Sequence, residues 1–191
     1  MKKLIAMLLA LTVIVAFAGC GKKEEPKTAE PVEALTALNT VVTAYNEKHA
    51  GTDYQLSLVG GGFENTNWEG PAAVLSTDTA YLTGTLLIPE AELAKVAIAA
   101  SAMHAMNTNT FCAGAYNLGD GADYAAFAAA VREAVQGNRW MCGFPEKLLM
   151  VNVGDCLIVV YGNGQLIDNF NTVIGETYTA ATVVYNEAIG A

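Results

Sequence analysis

Basic residues are scarce in this chain, and half of them sit outside the part expected to fold. Of ten Lys and Arg, five are Lys2, Lys3, Lys22, Lys23 and Lys27, which leaves five against fifteen acids from Ala34 onward. A domain carrying about −10 presents no electrostatic footprint for nucleic acid or for anionic lipid, so a nucleic-acid partner is not expected. Histidine is scarcer still: His49 and His104 are the only two, too few for a His-rich metal site. Serine occurs only at Ser57, Ser76 and Ser101, and none lies in a Gly-x-Ser-x-Gly nucleophile elbow. Gly60-Gly61-Gly62 lacks the Gly-Lys-Ser/Thr that completes a phosphate loop and reads as a flexible turn. Long apolar runs are missing too, since the uncharged stretch over residues 4–19 falls short of the ~20 that span a bilayer.

What the chain does have at its start is a secretory signal: Lys2-Lys3, the apolar stretch, then Phe17-Ala18-Gly19 before Cys20. The pattern resembles the lipobox of bacterial lipoproteins, with Phe17 where leucine is usual. That resemblance implies removal of residues 1–19 and a diacylglycerol of the palmitate class on the Cys20 thiol. Two acyl chains, at ~0.8 kcal/mol per buried CH₂, anchor stably where one is marginal. The expected location is the extracytoplasmic face of the cell membrane. An uncleaved N-terminal anchor and an ordinary secretory signal with a chance cysteine are the other readings of these residues. Residues 20–31 then alternate charges around Pro26 and Pro31 without a large apolar side chain, the composition of a tether.

Residues 32–191 suit a single domain. Leu35, Leu38, Val42 and Tyr45 predict an amphipathic helix over 32–49, and 54–59 alternates as a strand. A strand is expected over 80–88. Pro89, with Glu90 and Glu92, then opens an expected helix bearing Leu93, Val96, Ala97 and Ala100. Met103-His104-Ala105-Met106 has the donor types of a soft-metal site, but core or loop packing is the simpler reading, and no metal or cofactor is expected.

From residue 110 the pattern sharpens. A strand over 110–116 and an Asp120-Gly121 turn lead to a helix with Tyr124, Phe127, Val131 and Val135, stopped by Gly137. Strands over 148–153 and 156–161 flank Gly154-Asp155. A helix with Leu166, Ile167, Phe170, Val173 and Ile174, stopped by Gly175, precedes a strand over 181–185. This β-α-β-β-α-β order predicts an α+β fold: a ferredoxin-like plait over about 104–189, with an N-terminal helix–strand extension packed on it. Both helices of the plait are expected on one face of a four-stranded antiparallel sheet. Leu38-Asn39-Thr40-Val41-Val42 echoes Phe170-Asn171-Thr172-Val173-Ile174, through either duplication or chance.

Trp140-Met141-Cys142-Gly143-Phe144-Pro145, Val153-Gly154-Asp155, Tyr161-Gly162 and Ile167-Asp168-Asn169-Phe170 resemble a family of lipid-anchored proteins of unknown function common in Clostridia and related Firmicutes. The resemblance covers the chain from about residue 80. It implies the same fold and location and brings no catalytic residues with it.

The segment 140–145 joins a helix to a strand, and exposed aromatic residues in such loops bind partners. Trp140 and Phe144 are therefore the candidate partner-binding residues. In the competing reading both plug the end of the core while Gly143 and Pro145 shape the turn. With no catalytic signature, the leading expectation is a non-enzymatic lipoprotein that binds a protein, peptide or small molecule and meets the membrane through Cys20. The alternative is a thiol-dependent or hydrolytic cell-surface enzyme using Cys142 or Cys156, with His49 or His104 beside the thiol. The chain is too short for a two-lobed solute receptor. The plait places Cys112 and Cys142 at one end of the sheet and Cys156 at the other, so any internal disulfide is expected to join Cys112 to Cys142.

Overall fold

The computed structural model describes residues 31–106, 110–141 and 143–190. The expected signal, the Cys20 lipidation site, the tether to residue 30, and Cys142 with the disulfide expected of it lie outside the described residues.

The chain is α+β, and its seven strands form one antiparallel sheet. β4 (Cys112–Leu118), β5 (Lys147–Val153) and β6 (Cys156–Gly162) are near-continuous apolar runs because both faces of the sheet are covered. Successive side chains point to opposite faces. Leu149, Val151, Ile158 and Val160 therefore meet α1 (Ala34–Lys48) and α4 (Gly164–Thr177). Leu148, Met150, Leu157 and Val159 meet α2 (Thr79–Gly84) and α3 (Tyr124–Gly137) on the other side.

The strand order is β1 (Leu58–Gly60), β3 (Val96–His104), β4, β6, β5 and β7 (Thr182–Ala188), with β2 (Ala72–Val74) sharing the outer edge of β3 beside β1. The expected succession of elements is present from β4 to β7, and β4, β6 and β5 adjoin as a plait requires. The last strand departs from it. β7 pairs with β5, and β3 holds the edge of β4 that a plait gives to its fourth strand. β3 immediately precedes β4 and fills that edge as its sequence neighbour. The two helices, expected together, lie on opposite faces, because β5 and β6 are apolar on both.

Three local expectations also change. The Asp78 carboxylate accepts a hydrogen bond from the Tyr81 N–H at 3.1 Å, and this N-cap makes 79–84 the helix α2 rather than part of a strand over 80–88. After a 3-10 turn over Glu90–Lys95, the alanine-rich stretch expected as a helix forms β3. Alanine favours helices in isolation, but here Ala100 and Ala102 pair with Ala115 and Ala113. These four small side chains make a floor that lets α1 approach the sheet. Gly175, the expected stop, lies inside α4, two residues before its end. On the opposite face Tyr116 folds back over Gly114, and a Cβ there would run into the Tyr116 hydroxyl.

The core on the α1/α4 face centres on Phe170, whose ring lies 5.5 Å from Tyr45 and 5.3 Å from Phe111. The two echoing pentapeptides use the same positions to enter it, Leu38, Val41 and Val42 in one and Phe170, Val173 and Ile174 in the other.

The described chain enters at one pole. The Val32 N–H donates to Asp155 Oδ1 at 2.6 Å and the Ala34 N–H to Asn117 Oδ1 at 2.7 Å. Asn117 Nδ2 in turn donates to the Val32 and Asp155 carbonyls, both at 2.9 Å. β6 starts beside this knot and runs seven residues, about 20 Å at ~3.3 Å per residue, to the other pole. There Tyr161 stands opposite Cys112, and Cys112 opposite Met103.

Candidate functional site

At that second pole the segment after α3 closes over the ends of β3, β4 and β6, leaving a cleft of about 330 Å³. Its walls are mainly apolar, with Trp140, Met141, Met103, Phe111, Cys112 and Tyr161 contributing. Trp140 is half-buried, its ring 5.3 Å from that of Tyr161. Its indole N–H is buried without an acceptor among the described residues, a condition that costs ~1–3 kcal/mol. Gly143 holds φ at +133°, with the Thr110 methyl where a Cβ would stand, so the loop's course depends on glycine.

The two readings of this loop divide between its residues. Trp140 packs against the core as a plug, and Pro145 is buried behind it. Phe144 does not plug anything; it is 73% exposed, and Met141 is 87% exposed. Such a pair of solvent-facing apolar side chains beside an aromatic-walled cleft is suited to contact with a partner.

Neither described thiol, Cys112 or Cys156, is poised for nucleophilic chemistry. The Tyr161 hydroxyl donates to the Thr85 carbonyl at 2.5 Å, and the Cys112 thiol lies 3.9 Å from the same oxygen. Burial pushes the Cys112 thiol up to about 11, and Cys156, buried at the other pole, up to about 12. Both stay protonated near neutral pH, whereas attack requires the thiolate. Both are free, and their placement at opposite ends of the sheet is the one expected.

Neither histidine pairs with a described thiol. His49 lies against Tyr45, ring centroids 4.5 Å apart. Burial lowers the pKa of His104, whose Nδ1 accepts from the Met106 N–H at 3.3 Å. Met103 Sδ accepts from the Tyr81 hydroxyl at 3.5 Å. Among the described residues no three His, Cys, Asp or Glu side chains converge on a metal position.

A larger groove, about 600 Å³, runs between α1 and the segment 68–71. Its flanks carry Asn39, Thr43, Glu47 and Glu69, with Trp68 standing 75% exposed. The smaller cleft is the better candidate because its walls are aromatic and thioether surface, which gains most from being covered. Sequence reasoning found Trp140 but missed Met103, Cys112 and Arg139, which line the same cleft. Their convergence depends on sheet register, and no spacing in the sequence encodes it. No protein-family model, curated protein or solved structure matches the chain.

Proposed function

We propose that the protein is a lipid-anchored binding module of the extracytoplasmic membrane face, of the kind its Clostridia-type resemblance implies, and that the Trp140–Tyr161 cleft takes the partner. The observation that carries this reading is the separation of the two poles. A tether from Cys20 would reach the domain at Val32, beside Asp155 and Asn117. The cleft, lined by exposed Met141 and followed along the chain by exposed Phe144, lies a strand's length away. An anchored domain held by the first pole offers the second to whatever approaches from outside. The protonated state of Cys112 and Cys156 favours binding over thiol catalysis by either.

The test is site-specific photocrosslinking in intact cells. A photoreactive residue at Met141 should yield a discrete adduct. The same residue at Asp120, exposed near the tether pole, should yield none. Adducts from both positions alike, or from neither, would remove the cleft as the binding surface.

A further inference from the structure

The cleft carries a charge that no other described residue answers. Five cations serve the folded part. Lys48 pairs with Glu176, Lys95 with Glu92, Arg132 with Glu187 and Lys147 with Asp168. Arg139, the fifth, pairs with no described residue, although fifteen acids are distributed over the same domain. It lines the cleft next to Trp140 and Met141. Among the described residues it is the only charged side chain in that lining, whereas the larger groove is lined by Glu47 and Glu69 and has no described cation.

We infer that the cleft binds an apolar carboxylate: a large aromatic or aliphatic group with a carboxylate a few atoms away. This rests on the proposed binding role of the cleft and names what it would bind. The apolar group would lie among Trp140, Tyr161, Met103 and Met141, in a volume at the low end of the ~300–1,000 Å³ typical of small-molecule sites. The carboxylate would meet the Arg139 guanidinium, whose paired N–H donors match the two oxygens of one carboxylate. A domain of this net charge repels anions in general. The apolar part must therefore supply affinity, and the arginine selects among apolar ligands. A free acid and the C-terminus of a peptide ending in a large apolar residue share this chemistry. Arg139 also follows the carbonyl end of α3, where a cation is favoured without any ligand, and the experiment separates the two roles.

Isothermal titration of the full-length protein would compare 3-phenylpropionate with 3-phenylpropanamide, and the peptide Ala-Ala-Phe with its C-terminal amide. Each acid should bind about tenfold more tightly than its amide, the factor expected for one charge-assisted contact. Arg139→Gln, an exposed substitution, should bring each acid down to the level of its amide. If the peptide acid binds more tightly than phenylpropionate, the source is a chain terminus; the reverse order identifies a free acid. Equal binding of acid and amide, or a preference that survives Arg139→Gln, overturns the inference while leaving the cleft a binding site. Absence of binding by all four probes, with photocrosslinking at Met141 intact, also overturns it. The same absence with crosslinking lost removes the binding site itself.

Discussion

Phe170 shows how much of this core rests on single aromatic side chains. It is fully buried and lies against Tyr45 from α1 and Phe111, the residue before β4, so it joins three distant stretches of chain. Phe170→Ala should lower stability by ~3–5 kcal/mol in chemical denaturation, the range for truncating a buried aromatic residue. A loss below ~1 kcal/mol would show that the rings contribute little to the packing. At this scale the sequence is informative wherever chemistry is local. Phe170 stood out as the largest member of a regular stripe, and Trp140 as an aromatic residue in a loop. Phe144 was not legible: two aromatic residues four apart in a loop carry no signal saying which one turns inward. Arg139 was hidden for a different reason. The role proposed for it rests on its having no partner among the described residues, and that is known only once the partners of the other four cations are seen.

Among the elements, α3, β5, β6, α4 and β7 could be read because each has an apolar period and a turn residue beside it. β3 could not. Its alanines satisfy a helix as well as a strand, and the choice falls to α1, which needs small side chains beneath it. The position of β7 was likewise beyond local pattern, since a β-branched run pairs equally well with either edge of a sheet.

β7 is fastened to α3 by Glu187, whose carboxylate takes Arg132 Nε at 2.6 Å and Nη2 at 2.9 Å, and the Gln136 amide at 2.9 Å. The Arg132 guanidinium holds the Glu187 carboxyl below its ordinary value of 4.5, with a smaller contribution from Gln136. A carboxyl lowered in the folded state stabilises above its unfolded pKa, and that stability is lost as pH falls through the folded one. Glu187→Gln should therefore cost stability at pH 7 and flatten the acid limb below about pH 4.5. Superimposable acid limbs for wild type and variant would mean that the pair does not couple β7 to α3.

For the whole molecule, charge is the property the sequence states most directly, and anchoring is the expectation that the lipobox resemblance raises. Cys20→Ala should abolish incorporation of a clickable fatty acid and alter processing of the precursor. Equal labelling of both proteins would end the lipoprotein reading, and with it the argument that one pole of the domain is held at the membrane. The knot at that pole has a second consequence, for the order in which the protein can fold. The Val32–Asp155 hydrogen bond joins residues 123 positions apart, and α1 rests on strands that are made long after it. Until β3 and β4 exist, Leu38, Val41 and Tyr45 have no surface to cover them, and the start of α1 waits first for Asn117 and then for Asp155 to hold it. Closing so long a loop before it is rewarded makes folding slow. The first helix synthesised is thus among the last to settle, and a chain interrupted before β6 leaves the apolar face of α1 only partly covered.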